Sequence, residues 1–141
     1  MAQQPIAVDE ALIETIVRTF YNRVRADSLL GPIFEKHIQH WEPHLQNMFA
    51  FWSAIMLHTR RYNGRPMPKH VALPIDAEYF DRWLQIFNNT VEQLCVKEDA
   101  LLFMEKAKQI ASSLEKGLAV KNEVLLKTGE RYFKNRKNSC D

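Results

Sequence analysis

Apolar residues recur every three or four positions along almost the whole of this chain, and only four glycines interrupt them, at Gly31, Gly64, Gly117 and Gly129. A period near 3.6 residues makes a segment an amphipathic helix, because it gathers the apolar side chains onto one face. A sheet of short strands would need period-two alternation and turn glycines at its reversals, and a doubly wound fold would need more of them than this. The chain therefore reads as all-α.

Four long stripes carry that reading. Leu12, Ile13, Ile16, Val17, Phe20, Tyr21 and Val24 form the first, opened by Asp9 as an N-cap. Gly31-Pro32 is expected to break it, and a short turn or helix starts at Pro32 to Phe34. Trp41, Leu45, Met48, Phe49, Trp52, Ile55 and Met56 form the second, with Pro43 tolerated in its first turn. Thr59 to Pro68 reads as a loop, and Lys69 to Ala72 as at most one helical turn closed by Leu73-Pro74. Asp76 caps a third stripe with Phe80, Trp83, Leu84, Phe87, Val91 and Leu94. A fourth is expected from about Glu98 to Gly117, with Leu101, Met104, Ala107, Ile110, Ala111 and Leu114 inward. Beyond Gly117 the pattern weakens: 118–126 either prolongs that helix or docks separately, and Thr128 to Asp141 reads as a frayed basic tail. Four long helices suggest a two-layer helical sandwich. The expected organisation is one domain over 1–141, with its core at about 9–117 and the remainder a C-terminal extension.

Composition narrows the function classes. With 141 residues, 46% hydrophobic and 26% charged, the chain has the balance of a globular domain. No apolar run approaches the ~20 residues of a membrane span, and Met1 to Asp9 lacks a secretory pattern. The expectation is a cytoplasmic protein. A net charge of +2 is too small to argue for nucleic acid. The basic clusters at Arg60, Arg61 and Arg65 and at Arg131 to Lys137 read as solvated surface. Two cysteines, Cys95 and Cys140, with no CxxC, leave no zinc ribbon, thioredoxin-like motif or disulfide scaffold. No glycine-rich phosphate loop is present.

Five histidines remain as metal ligands: His37, His40, His44, His58 and His70. His40 and His44 are four apart, but Pro43 and the helix start disturb that geometry, and no carboxylate or cysteine completes a tetrahedral site. A histidine-ligated haem asks for less: one neutral imidazole, a large apolar pocket and control of the opposite face. His70 lies in Pro68-Lys69-His70, a short proline-flanked piece too small to pack itself. From the segment alone it is either a surface loop histidine or a ligand aimed inward. Tyr21, His44 and Trp83 lie on or beside apolar stripes. They are either ordinary core and helix-end residues or donors into a pocket. A dioxygen ligand carries partial negative charge, so an O–H or N–H aimed at it forms a charge-assisted bond of roughly 1.5–3 kcal/mol. Carbon monoxide gains less from the same donor.

Taken together, FYNRVRADSLLGPIF (Phe20 to Phe34), HLQNMFAFW (His44 to Trp52), RYNGRPMPKHVALP (Arg61 to Pro74), FDRWLQIF (Phe80 to Phe87) and AKQIASSL (Ala107 to Leu114) resemble the third group of the truncated haemoglobins. The resemblance spans roughly Leu12 to Gly117, and RYNGRPMPKH is its most specific part. It implies a globin-like, two-over-two helical sandwich around haem b (iron protoporphyrin IX). By the family pattern, His70 is the iron's proximal ligand and Tyr21 and Trp83 supply distal hydrogen bonds. His44 sits at the distal entrance, and Phe20, Phe34, Met48 and Trp52 are pocket walls. Arg61 and Lys69, by charge and placement, are candidates to meet the haem propionates.

The resemblance implies binding of dioxygen, nitric oxide and carbon monoxide, with oxygen binding or transport as the first reading. The alternative is redox chemistry, either nitric oxide dioxygenation or peroxide reduction. That alternative needs a partner reductase, because the chain has no flavin or nicotinamide domain. A third class, a haem-free helical interaction module or a sensor, would have to fill the pocket with side chains or carry an output domain. Neither nucleic acid nor membrane is an expected partner.

Overall fold

The computed structural model describes residues 5–62 and 73–134. Within them the chain forms five helices: α1 (Glu10–Ala26), α2 (Leu30–His37), α3 (Trp41–Leu57), α4 (Ala77–Leu94) and α5 (Lys97–Lys121). No described helix is long and apolar enough to cross a membrane.

The start of α1 follows from one side chain. Asp9 is extended, and its carboxylate accepts the Leu12 N–H at 2.8 Å, satisfying an amide that the helix itself cannot pair. Ile13, Ile16, Val17, Phe20, Tyr21 and Val24 then recur on the buried face. That face is wide enough for α1 to touch α2, α3 and α4. Removing each such side chain from water is worth ~1.5–3 kcal/mol, so α1 is the axis on which the others pack. The four long helices form two pairs, α1 with α3 and α4 with α5, joined through α1 against α4. This is the all-α arrangement of paired helices expected from the sequence.

The break after α1 comes earlier than expected. The helix ends at Ala26, and Gly31 and Pro32 lie inside the first turn of α2. Asp27 makes the break. Its buried carboxylate accepts the N–H groups of Leu29 and Leu30 at 3.1 and 3.0 Å and the Nε–H of Arg82 from α4 at 2.7 Å. Burial pushes the Asp27 pKa up, but Arg82 and the two backbone donors more than offset it. The carboxyl is therefore held below its ordinary value. Gly31 serves close approach rather than helix termination. A Cβ there would stand 2.6 Å from the Arg25 carbonyl oxygen, a backbone atom that cannot step aside.

The other departures concern α5. The helix passes straight through Gly117, because Leu118 and Ala119 beyond it are fully buried. Their burial outweighs the ~1 kcal/mol that a mid-helix glycine costs. Leu101, expected to face inward, is 62% exposed, and Leu102 and Phe103 take the interior positions. The expected frayed tail is docked as far as it is described. Tyr132 is only 4% exposed, and Arg131 pairs with both Glu115 of α5 and Asp81 of α4. The sequence shows basic residues there but not the acidic partners that receive them.

Candidate functional site

All five helices contribute to one apolar cleft of about 760 Å³, a volume that includes open solvent at its mouth. From α1 come Phe20 and Tyr21, from α2 Leu30 and Phe34, and from α3 Met48, Phe51 and Trp52. Ile75 precedes α4, which adds Tyr79, Phe80 and Trp83, and α5 closes the wall with Ile110, Ala111 and Leu114. Polar atoms among these side chains are confined to two phenols and two indoles. Such a lining suits a large flat apolar group that needs only a few directed polar contacts.

One side of the cleft is a set of interlocked rings. Trp83 stacks on Phe87 with centroids 5.7 Å apart and planes 4° from parallel. Phe87 stacks in turn on Trp52 at 5.1 Å. Phe20 stands edge-on to Trp83, Phe87 and Tyr21 at 5.4, 5.3 and 4.9 Å. Stacked and edge-to-face contacts fix ring planes as well as adding to burial, so Trp83 and Tyr21 are held in place by their neighbours. Burial pushes the Tyr21 phenol's pKa well above its ordinary value, which keeps its proton in place as a donor.

His44 packs edge-on to Tyr21 at 5.0 Å and to Trp41 at 5.8 Å. Trp41 also lies edge-on to Tyr21, and the Arg25 guanidinium covers its ring at 4.4 Å. A line of contacts thus leads from the surface cation Arg25, itself paired with Glu35 at 2.7 Å, through Trp41 and His44 to Tyr21.

His70 and Lys69 lie outside the described residues, as does most of the loop expected over Thr59 to Pro68 and the turn expected over Lys69 to Ala72. Both flanks of that segment, however, reach the cleft. On the N-terminal side Tyr62 stands edge-on to the lining residue Phe51 at 5.2 Å. Fully buried Ser53 donates to Glu10 at 2.6 Å and shares a hydrogen bond with Thr59 at 2.8 Å. Arg61 pairs with the same Glu10. On the C-terminal side Ile75 is itself part of the wall.

The sequence-derived residues Phe20, Tyr21, Phe34, Met48, Trp52 and Trp83 therefore converge on one cleft, with His44 behind Tyr21. Arg61 lies apart from them, in its ion pair with Glu10 on the first turn of α1. Lining residues that sequence reasoning missed include Phe51, Ile75 and Tyr79. Met48, Phe51 and Ile55 are spaced as i, i+3 and i+7, so a second apolar face of α3 was legible. For Ile75, between a proline and a helix cap, the sequence holds no such signal.

Comparison with known proteins agrees with this geometry. A family model of bacterial-like globins matches residues 5–116. The chain is 31% identical over 113 residues to the group 3 truncated haemoglobin of Campylobacter jejuni, covering 77% of this chain and 89% of that one. It is 28% identical over 101 residues to the group 2 truncated haemoglobin YjbI of Bacillus subtilis, covering 70% and 76%. The crystal structure of the group III truncated haemoglobin from Campylobacter jejuni superimposes with a TM-score of 0.76 at 30% identity, over 82% of this chain and 95% of that one. With its helix pairs around an aromatic-lined apolar cleft, the chain belongs to the bacterial-like globins and, within them, to the third group of truncated haemoglobins.

Proposed function

We propose that the protein binds haem b in the apolar cleft and holds dioxygen there with slow release. Membership of the globins supports haem-based binding of diatomic ligands in general. The observation that carries the finer reading is the convergence of Tyr21 and Trp83, two donors whose rings are fixed by their neighbours, on a cleft whose other polar side-chain groups are only the Tyr79 phenol and the Trp52 indole.

Haem, when bound, would supply a ferrous iron able to take a diatomic ligand. His70 would hold that iron, carried by a segment whose described flanks both touch the cleft. Phe20, Phe34, Met48 and Trp52 would exclude water and hold the macrocycle by apolar contact. Tyr21 would donate its O–H, and Trp83 its indole N–H, to the negative end of a bound ligand. In a low-dielectric pocket such donors discriminate by ligand charge, favouring dioxygen over carbon monoxide. His44, leaning on Tyr21, controls entrance on that side. Lys69 is assigned to a propionate, and Arg61 would reach one only by sharing its charge with Glu10. The reading keeps residues 1–141 as one domain, and the docking of Arg131 on α4 and α5 supports including the C-terminal extension in it.

The decisive test is the visible spectrum of the purified protein, oxidised, reduced and reduced under carbon monoxide, beside a His70→Ala variant. A Soret band that shifts on reduction and with carbon monoxide, and is lost or altered in the variant, is the expected result. Absence of a Soret band even after haemin is added would remove the haem reading. An unchanged spectrum in His70→Ala would remove His70 as the ligand.

A further inference from the structure

Past residue 116, where the match to the globin family model ends, the chain turns back and lies across the start of α4. We propose that residues 128–134 form a strap, anchored by Arg131 and Tyr132, that fixes one wall of the cleft and thereby sets how tightly the protein retains haem. This rests on the haem reading above and adds positioning residues to it.

Three observations carry the proposal. The first is that the strap completes the N-terminus of α4. The Ala77 N–H, one of the amides no helix can pair internally, donates to the Tyr132 carbonyl at 2.7 Å. The capping carboxylate of Asp76 accepts the Glu78 N–H at 3.2 Å with one oxygen and the Lys134 N–H at 3.1 Å with the other. The second is that Arg131 bridges two helices. Its Nε and Nη2 donate to Glu115 of α5 at 2.8 and 2.9 Å, and Nη2 also donates to Asp81 of α4 at 2.7 Å. Glu115 is only 6% exposed, and it also accepts the Tyr132 N–H at 2.9 Å. Among the described residues, the hydrogen bonds that Arg131 and Tyr132 donate to its carboxylate are what compensate its buried charge.

The third observation links the strap to the cleft. Tyr132 is buried in one apolar cluster with Ile75, Phe80, Ala111 and Leu114, and all four of these line the cleft. Ile75 is also the cleft residue that follows the segment carrying His70. A strap that pins Asp76 and Ala77 by hydrogen bonds, and supports Ile75 and Phe80 from behind, holds that wall against separation of α4 from α5.

The test compares Arg131→Ala, Tyr132→Ala and Arg131→Lys with Asp99→Asn. Asp99 clasps the Ile6 and Ala7 amides at the opposite end of α5, so Asp99→Asn controls for lost stability remote from the strap. Two readouts are taken: haem transfer from the ferric protein to an excess of an acceptor apoglobin, and amide hydrogen exchange of Ala77 to Phe80 in the haem-free protein. Arg131→Ala and Tyr132→Ala are expected to speed haem loss by about tenfold and to speed exchange at those amides. Arg131→Lys should restore part of both, and Asp99→Asn should leave both near wild type at a comparable melting temperature. Haem loss at the wild-type rate in the strap variants, or equal acceleration in Asp99→Asn, overturns the proposal. If the wild-type protein takes up no haem, the underlying haem reading fails. Exchange at Ala77 to Phe80 then decides by itself whether the strap holds the wall.

Discussion

Tyr21 illustrates how burial can prepare a side chain for work. Its phenol sits among Phe20, Phe34, Trp41 and His44 rings at centroid distances of 4.9 to 6.2 Å. Removal from water disfavours the phenolate, so the hydroxyl remains a donor through the neutral range. Tyr21→Phe keeps the ring and deletes only the donor. It is expected to accelerate dioxygen release by about 10- to 100-fold, the equivalent of one charge-assisted bond. Stopped-flow displacement of dioxygen by carbon monoxide measures this directly. The wild-type rate should be flat from about pH 6 to pH 9, because a phenol with a raised pKa does not titrate there. An off-rate unchanged by the substitution would assign the stabilising bond to Trp83 instead. Cys95 shows the opposite consequence of burial. Burial first, and the Asp99 charge second, push its thiol up to about 11, so it carries little thiolate at neutral pH and little nucleophilic reactivity.

At the level of helices, the junction of α1 and α2 depends on Asp27, which caps α2 and reaches across to Arg82 of α4. Asp27→Ala is expected to destabilise the fold by about 2 kcal/mol, combining a lost cap with a lost charge-assisted bond. The same group adds an acid sensitivity. Its folded pKa lies below the ordinary carboxylate value of 3.8, so its contribution is complete above that value and disappears as pH falls through the lower folded pKa. Urea unfolding of both proteins, from pH 7 down to about pH 2, should show the gap between them narrowing at the acid end. A gap independent of pH would mean that the charge of Asp27 contributes nothing.

This junction also marks where sequence patterns stop being sufficient. Asp9 and Asp76 are legible as caps because each stands immediately before an apolar stripe. Asp27 is not, because its partners Leu29 and Leu30 are local but Arg82 is 55 residues away. Gly31 looked like a helix stop and is a contact point, a distinction that depends on where the Arg25 carbonyl lies in space. The aromatic residues of the cleft were legible, since large apolar side chains at helical spacing have few places to go. The docking of Arg131 was not, because Glu115 and Asp81 look like ordinary surface carboxylates until α4 and α5 bring them together.

For the molecule as a whole, the cleft implies that the folded chain without haem keeps an apolar space lined by side chains from every helix. A ligand that binds only the folded state stabilises it by mass action. Extraction of haem is therefore expected to lower the melting temperature by about 10 °C or more, given that each kcal/mol moves a domain of this size by a few degrees, and re-addition of haemin should restore it. Equal melting temperatures for the two forms, by circular dichroism, would show that the cleft is not the haem site.

The clasp of Ile6 and Ala7 by Asp99 has a consequence for the order of events during synthesis. These two amides leave the ribosome early and meet their acceptor only after more than ninety further residues have been translated. The segment before α1 must wait, without this acceptor, until α5 has appeared. Tyr132, whose carbonyl closes the start of α4, arrives later still. A nascent globin of this kind can collapse its first three helices early, but it can lock its ends only once the last helix is free of the ribosome.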